Sequence, residues 1–347
     1  MTHFSKTILQ WYSQNKRDLP WRGSRDPYKI WLSEVILQQT RITQGLPYYL
    51  KFIKVYPAVS DLASASETEV LKLWQGLGYY SRARNMHAAA RMVMDEFSGK
   101  FPSVYKDLIR LKGVGDYTAS AIASICSGEP TPVVDGNVYR VLARYFGVEI
   151  PINSSRGIKY FKQLAKEVME PAEIGEYNQA VMEFGALQCK PQNPDCGTCP
   201  LNTGCLALNQ DRVGELPAKI RKQKVKTRYF NYMVYVDPKN RTLLNKRTEQ
   251  GIWRHLYDFP LIESDRLLEP EEIYEVFKKE DHPDGEISLW REDPVIHKLS
   301  HQHLVTRFWI VELEKEIGHG IPLEKLDEYP VPVLVSEFLR TYKNSYF

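Results

Sequence analysis

The chain has no run of about eighteen apolar residues, so no segment is long enough to cross a bilayer as a helix. Its opening residues, Met1 to Lys6, lack the basic, apolar and small-residue order of a secretory signal. From these absences we expect a soluble protein of the cell interior. Cysteine is scarce, five in 347 residues, and four of them crowd between positions 189 and 205. In a reducing compartment that crowding points to metal or cluster ligation and away from a disulfide framework. Net charge is only +3, but it is unevenly placed: residues 1–227 hold 30 Lys and Arg against 21 Asp and Glu, an excess of +9, and the remainder is −6. A basic first part suits a polyanionic partner. The length suggests about two domains, and a hydrophobic content of 43% supports ordinary cores.

What the chain does have is an organising stretch from Leu111 to Asn137. Val104, Leu108 and Leu111 give Pro102 to Arg110 a helical spacing, and Thr118 to Cys126 reads as a second helix of small residues. Gly113 and Gly115 make the turn between them, since glycine alone takes positive φ without steric cost. Such a turn leaves N–H groups free at the start of the second helix, where the dipole helps them hold a phosphate. The alternative is a helix–turn–helix whose glycines serve close packing. Asp135 then precedes Gly136 and an amphipathic helix with Val138, Val141, Leu142, Tyr145 and Phe146 on one face. A carboxylate there is expected to stay ionised, because the dipole and free amides favour the anion. A plain capping aspartate is the alternative. A glycine hairpin about one helix before such an aspartate resembles the helix–hairpin–helix, Gly/Pro-rich, Asp superfamily of DNA glycosylases.

Other helices are read at Phe4–Gln14, Ile30–Arg41, Val70–Leu77, Ala83–Phe97, Ser154–Met169 and Tyr177–Leu187. The loop after the first mixes cations with an aromatic: Arg17, Leu19, Trp21 and Arg22. In the second, Glu34 stands among Trp31, Val35 and Gln38 with no cation within a turn. Desolvation should raise its pKa, which suits a general acid near neutral pH; pairing with an arginine distant in sequence is the alternative. Gln38, Gln39 and Thr40 follow, neutral groups able to probe base edges or fill a gap in a stack. Gly76-Leu-Gly-Tyr-Tyr-Ser-Arg-Ala-Arg84 interleaves aromatics with cations, as a nucleic-acid surface requires; Tyr80 reads as core.

Cys189, Cys196, Cys199 and Cys205 have the spacing C-x6-C-x2-C-x5-C in a Pro-rich loop. Four thiolates so placed can wrap one centre, zinc or an iron–sulfur cluster, and ligand identity does not separate the two. Cys126 reads as a small core residue. Asp211 to Thr227 reads as a basic, extended linker able to touch DNA. Beyond it the pattern turns strand-like at Tyr229–Val236, Thr242–Lys246, Val295–Leu299 and Leu304–Leu313, with helices at Pro270–Lys279 and Val335–Tyr342: a separate small α+β domain.

With these residues in hand, the chain closely resembles adenine DNA glycosylases of the MutY family over nearly all its length. The anchors are Leu19-Pro-Trp-Arg22, Trp31-Leu-Ser-Glu34-Val-Ile-Leu-Gln-Gln39-Thr40, Gly76 to Arg84, Leu111-Lys-Gly-Val-Gly115, Val134-Asp-Gly-Asn137-Val and the four-cysteine loop. The resemblance implies a mainly α catalytic core over residues 1–210, in two subdomains with the active site between them and a [4Fe-4S] cluster at 189–205. A linker at 211–227 and a Nudix-like lesion-recognition domain at 228–347 follow. The partner implied is double-stranded DNA with adenine opposite 8-oxoguanine or guanine. A monomer in a bacterial cytoplasm, nucleoid-associated, is expected.

Residue by residue, the resemblance makes Glu34 the acid that protonates adenine and Asp135 the anion facing an oxocarbenium-like sugar, assisted by Tyr117 and Asn137. It places Arg17, Leu19 and Arg22 around the flipped base. It gives DNA contacts to Gln39, Thr40, Leu77, Tyr79, Gly113 and Gly115, and lesion reading to Ser300 and His301, where Leu299 stands at the family's aromatic position. The Nudix metal box is absent, so the last domain is read as a recognition module and not a pyrophosphohydrolase. Relatives resembling endonuclease III carry a Schiff-base lysine two residues after the second hairpin glycine. This chain has Tyr117 there, so a glycosylase without strong strand-nicking activity is expected. A bifunctional oxidised-pyrimidine glycosylase, a non-catalytic lesion binder and a zinc-stabilised regulatory protein are the rival readings.

Overall fold

The computed structural model describes residues 2–220, 225–279 and 285–346. The described chain falls into two compact units, residues 2–64 with 85–220, and residues 65–84 with 225–346. Up to residue 210 it is helical: α1 (His3–Asn15), α2 (Pro27–Leu37), α3 (Ile42–Val55), α4 (Val59–Ser64), α5 (Glu67–Trp74), α6 (Ser81–Glu96), α7 (Tyr105–Leu108), α8 (Asp116–Ser127), α9 (Gly136–Tyr145), α10 (Ser155–Val168), α11 (Ile174–Leu187) and α12 (Leu206–Asn209).

In the first unit, α1, α9, α10 and α11 close on a core that includes Phe4, Ile8, Tyr12, Val141, Leu142, Phe161, Tyr177 and Phe184. Helix α2 starts where Asp26 accepts from the Tyr28 N–H with Pro27 in the first turn. It buries Ile30, Trp31, Leu32, Val35 and Ile36, so it is covered nearly all round. It stops at Leu37 and not at Arg41, because Gln39 turns left-handed at φ 56°. The helix expected over 102–110 shrinks to α7, a single turn: the Glu129 carboxylate takes the Tyr105 N–H, and tight turns ending at Arg110 and Leu111 lead into the hairpin. Helices α3 and α4 were not anticipated; Pro47 inside α3 masks its pattern. Cys126, expected in the core, lies in the last turn of α8 and is only partly covered.

The second unit has a mixed sheet. Strand β1 (Lys226–Val236) runs parallel to β8 (Gln302–Leu313), with Lys226 opposite Gln302 and Val236 opposite Glu312. Antiparallel to them lie β5 (Leu261–Ser264) on β1, and β6 (Gly285–Leu289) and β7 (Val295–Lys298) on β8. Short pairs join β2 (Arg241–Thr242) to β9 (Ile321–Pro322) and β3 (Asn245–Lys246) to β4 (Tyr257–Asp258). The single strand expected at 242–246 is therefore two, and β5 and β6 were not anticipated. One face of the sheet packs Met233, Tyr235, Trp309 and Val311 against Ile273 and Phe277 of α13 (Pro270–Phe277). Helix α14 (Val333–Tyr346) closes the chain, its Phe338 ring stacked on Phe308 at 4.1 Å.

Residues 65–84, which the sequence groups with the helical half, share their contacts with this sheet unit. Lys72 Nζ donates to the Tyr329 carbonyl at 3.0 Å, Gln75 Nε2 donates to Ser336 Oγ at 3.2 Å, and His255 pairs with Glu67 at 2.6 Å. Part of the expected basic linker, residues 221–224, lies outside the described residues. No helix among the described residues is long and apolar enough to cross a membrane.

Candidate active site

Glu34 sits in the middle of the covered helix α2, and its carboxyl accepts a hydrogen bond from the Tyr117 hydroxyl at 2.7 Å. Tyr117 comes from the first turn of α8, just past the glycine hairpin, and also touches Met182 Sδ at 3.5 Å. Burial pushes the Glu34 carboxyl up to about 7; the Tyr117 hydrogen bond opposes this, the Asp135 charge adds to it and Arg22 pulls weakly the other way. Burial likewise raises Tyr117, so its hydroxyl keeps its proton and can donate. Gln38 Nε2 donates to Thr118 Oγ1 at 3.2 Å, pinning the end of α2 to the same turn of α8.

Asp135 caps α9. Its Oδ1 accepts the N–H groups of Asn137 at 2.9 Å and Val138 at 2.8 Å, and Oδ2 accepts Asn137 Nδ2 at 2.8 Å. The expectation that the helix terminus alone would settle its charge is corrected here: burial is the largest influence and pushes the carboxyl above its usual range, while those three donors hold it back. All three donate to acceptor oxygens, so they favour the anion. Glu34 by contrast receives one hydroxyl. The two carboxyls feel one another but differ in what surrounds them.

Arg17 and Arg22 converge on Glu183, a buried carboxylate of α11 that sequence reasoning missed. Arg17 donates through Nε at 2.8 Å and Nη2 at 2.7 Å, Arg22 through Nη2 at 2.7 Å, and Arg22 also bonds the Tyr12 hydroxyl. Burial raises Glu183, but the two arginines outweigh it and hold the carboxylate below its usual range. The signal was present: Glu183 is a lone acid in an apolar helical run, the same feature that singles out Glu34. Leu19 is buried and its carbonyl accepts the Arg22 N–H at 2.8 Å, shaping that loop. Arg140, also missed, lies one turn along α9 from Asn137. It donates to Asn137 Oδ1 at 2.8 Å and to the carbonyls of Gly136 at 3.2 Å, Gly185 at 2.6 Å and Cys189 at 2.7 Å.

The hairpin needs one of its glycines for conformation, not two. Gly113 has φ 76°, and a Cβ there would come 2.6 Å from Asn85 Cβ. Gly115 caps α8 at φ −95° with open space where a Cβ would go, so its backbone imposes no glycine. Gly113→Ala should cost about 1–3 kcal/mol, read as a lowered Tm, whereas Gly115→Ala should leave Tm unchanged and weaken only DNA binding in a titration. Gln39 is exposed in the left-handed turn, and Thr40 beside it donates to the Gln38 carbonyl at 3.3 Å.

Cys189, Cys196, Cys199 and Cys205 all line one small cavity with Arg144. Arg144 Nη1 reaches Cys189 Sγ at 3.4 Å and holds the loop by the carbonyls of Lys190 and Pro191 at 2.7 and 3.1 Å. Burial pushes the Cys199 thiol up to about 11 and raises those of Cys196 and Cys205. Among the described residues no three His, Cys, Asp or Glu side chains meet closely enough to hold a single metal ion.

The remaining candidates belong to the second unit. Tyr79, at φ 48° and 46% exposed, shares a cavity with Trp253, Leu299, Ser300 and His301. Ser300 Oγ lies 3.4 Å from His301 Nδ1. Tyr80 is core, as expected. Leu77, expected to contact DNA, is 5% exposed, and its carbonyl accepts from Arg82 at 3.4 Å.

Both halves of the chain resemble known proteins. Residues 32–166 match the HhH-GPD superfamily of base excision DNA repair proteins, and residues 231–341 match a NUDIX domain. Over 316 residues the chain is 35% identical to an adenine DNA glycosylase of Buchnera aphidicola subsp. Baizongia pistaciae, covering 89% of this chain and 86% of that one. It is 45% identical over 216 residues to the human adenine DNA glycosylase, covering 60% of this chain and 40% of that one. A solved thermostable thymine-DNA glycosylase matches with a TM-score of 0.56 at 31% identity, over 60% of this chain and 95% of that one. An endonuclease III trapped on DNA matches at 0.53 and 22%, over 60% and 94%, a likeness of fold. The chain therefore belongs to the adenine DNA glycosylase family, with a helix–hairpin–helix base-excision core followed by a Nudix domain.

Proposed function

We propose that this protein excises adenine from a mispair with 8-oxoguanine or guanine in duplex DNA, by acid-assisted cleavage of the N-glycosidic bond and without a lyase step. The observation that carries this reading is the unlike pair of carboxyls: Glu34 pushed up to about 7 beneath a single hydroxyl, Asp135 ringed by three donors. Two acids in opposite environments divide into proton donor and anion. The adenine leaves the stack at a cost of a few kcal/mol, smaller opposite a lesion. Glu34, neutral below about pH 7, gives its proton to N7 of the flipped base. The base departs as a neutral heterocycle, and the Asp135 carboxylate faces the positive charge left on the sugar, as in a retaining glycosidase. Water completes the product. Arg17, Leu19 and Arg22 frame the base, with Glu183 holding both arginines.

The four-cysteine cavity fits a [4Fe-4S] cluster in its donor set. Raised thiol pKa values mean that a bound metal's positive charge must draw off the protons. Such a cluster would be held by Cys189, Cys196, Cys199 and Cys205 and would tie down the loop beside α9. A coloured protein absorbing in the visible blue separates it from colourless zinc.

Incubation with duplexes carrying adenine opposite 8-oxoguanine, guanine or thymine, followed by alkali, tests the activity. Cleavage at the adenine opposite the two guanines is expected, and inertness toward all three ends the proposal. Tyr117 has no amine to attack the sugar, so borohydride should trap little enzyme on the product. Trapping of most of the protein would instead indicate a lyase.

A further inference from the structure

We infer that Asn178, with Lys162 beside it, is a positioning residue for the Asp135 carboxylate, fixing the stretch of chain that delivers that carboxylate to the sugar. This rests on the proposed role of Asp135 as the anion facing the cleaved sugar. Residues 128–135 join α8 to α9 without helix or strand. Pro132 and Val133 are buried there, and backbone groups taken out of water must find partners. Side chains of α10 and α11 supply them. Asn178 is 1% exposed. Its Oδ1 accepts the Val133 N–H at 3.2 Å, and its Nδ2 donates to the Thr131 carbonyl at 2.9 Å. Lys162 Nζ donates to the Pro132 carbonyl, between those two, at 2.7 Å. Three successive residues are gripped in this way, and Asp135 follows two residues later, at most about 7 Å of chain.

The Val133 N–H can only donate and the Thr131 carbonyl can only accept, so the grip needs a donor and an acceptor on one short arm, as asparagine carries. Gly175 sets that arm at its depth. A Cβ there would come 2.8 Å from the Ser124 carbonyl, so the glycine lets α11 lie against the last turns of α8. Asn178, one turn further along α11, then reaches Ser124 Oγ at 2.9 Å as well as the loop. Lys162 also donates to Asp116 Oδ2 at 2.8 Å and Ser120 Oγ at 3.1 Å, both on α8. Asp116 directly precedes Tyr117, whose hydroxyl bonds Glu34. The chain that carries Asp135 and the turn that carries the partner of Glu34 are therefore tied together. An anion stabilises a developing cation best when it is fixed in place before the charge appears.

The test uses the full chain and two duplexes, one with a pyrrolidine ring, cationic at neutral pH, in place of the sugar, the other with an uncharged tetrahydrofuran ring. Wild type should hold the cationic duplex about 10²-fold tighter or more, as an analogue of a charged transition state is held. In Asn178→Leu that preference should fall about tenfold while single-turnover base release slows about 10²-fold, the cost of a shift near 1 Å. Affinity for the neutral duplex should stay near wild type. Lys162→Met should lower the preference in the same direction. Removing a lysine charge would by itself favour a cation, so a fall there reports the lost grip. Ser124→Ala takes a bond from the same amide but none from the loop, so its preference should match wild type whatever its Tm. A fall in Ser124→Ala equal to that in Asn178→Leu would make the effect a general loosening of α8 against α11 and overturn the inference. So would a preference within about twofold of wild type in folded Asn178→Leu, well short of the shift expected; if that variant does not fold, Lys162→Met decides by the same criterion. A wild-type preference near one would instead remove Asp135 from its proposed role, and this inference with it.

Discussion

Glu34→Gln is expected to lower adenine release about 10²–10⁴-fold, the usual worth of a positioned general acid, while duplex binding measured by titration stays near wild type. Gln fits the same space and still accepts from the Tyr117 hydroxyl, so geometry survives and only the transferable proton is lost. The wild-type rate should fall as pH rises through about 7, where Glu34 loses its proton, and the variant's residual rate should lack that limb. Stability moves with the same group. Its folded pKa lies above the ordinary 4.5, so the stability it contributes is complete below that value and is lost as pH rises through about 7. Removing the ionisation should therefore stabilise the variant above pH 7 relative to wild type, by about 1–2 kcal/mol once the partial solvent contact of Glu34 is discounted. A variant that releases adenine at the wild-type rate would remove Glu34 from the chemistry.

Arg140→Met is expected to cost about 3–5 kcal/mol, seen as a fall in Tm of roughly 10 °C, and to slow base release beyond what lost folding explains. Arg140 is buried at 7% exposure and serves four acceptors. Methionine fills much of the stem's volume but leaves the Gly185 and Cys189 carbonyls without that donor, and unpaired buried acceptors are costly. It also frees Asn137 Oδ1, whose orientation aims Nδ2 at Asp135 Oδ2. A loosened Asn137 weakens one of three bonds that favour the Asp135 anion, so single-turnover rates at a temperature where the variant is fully folded should drop. Unchanged single-turnover chemistry would confine Arg140 to structure.

Much of this site was legible in the residues themselves. A lone acid in a helix covered on all sides is either desolvated or paired from a distance, and Glu34 is the desolvated case. Four cysteines within one Pro-rich loop can close on one cavity because the loop is short, and they do. The capping aspartate at 135 is local chemistry as well, since Asp135 and its two amide donors lie within three residues.

What lay beyond the sequence was every property set by groups distant along the chain. The direction of the Asp135 shift depends on burial that its own neighbours do not supply. Glu183 stands out as a lone acid, but its partners Arg17 and Arg22 come from more than 160 positions away. The split of 102–110 into one turn depends on Glu129, and the grouping of residues 65–84 with the sheet depends on partners at 255, 329 and 336. Local chemistry, written in spacing and residue type, determined which groups could act. Only the folded chain decided their charge and their partners, because desolvation and long-range pairing have no signature in a short window of sequence.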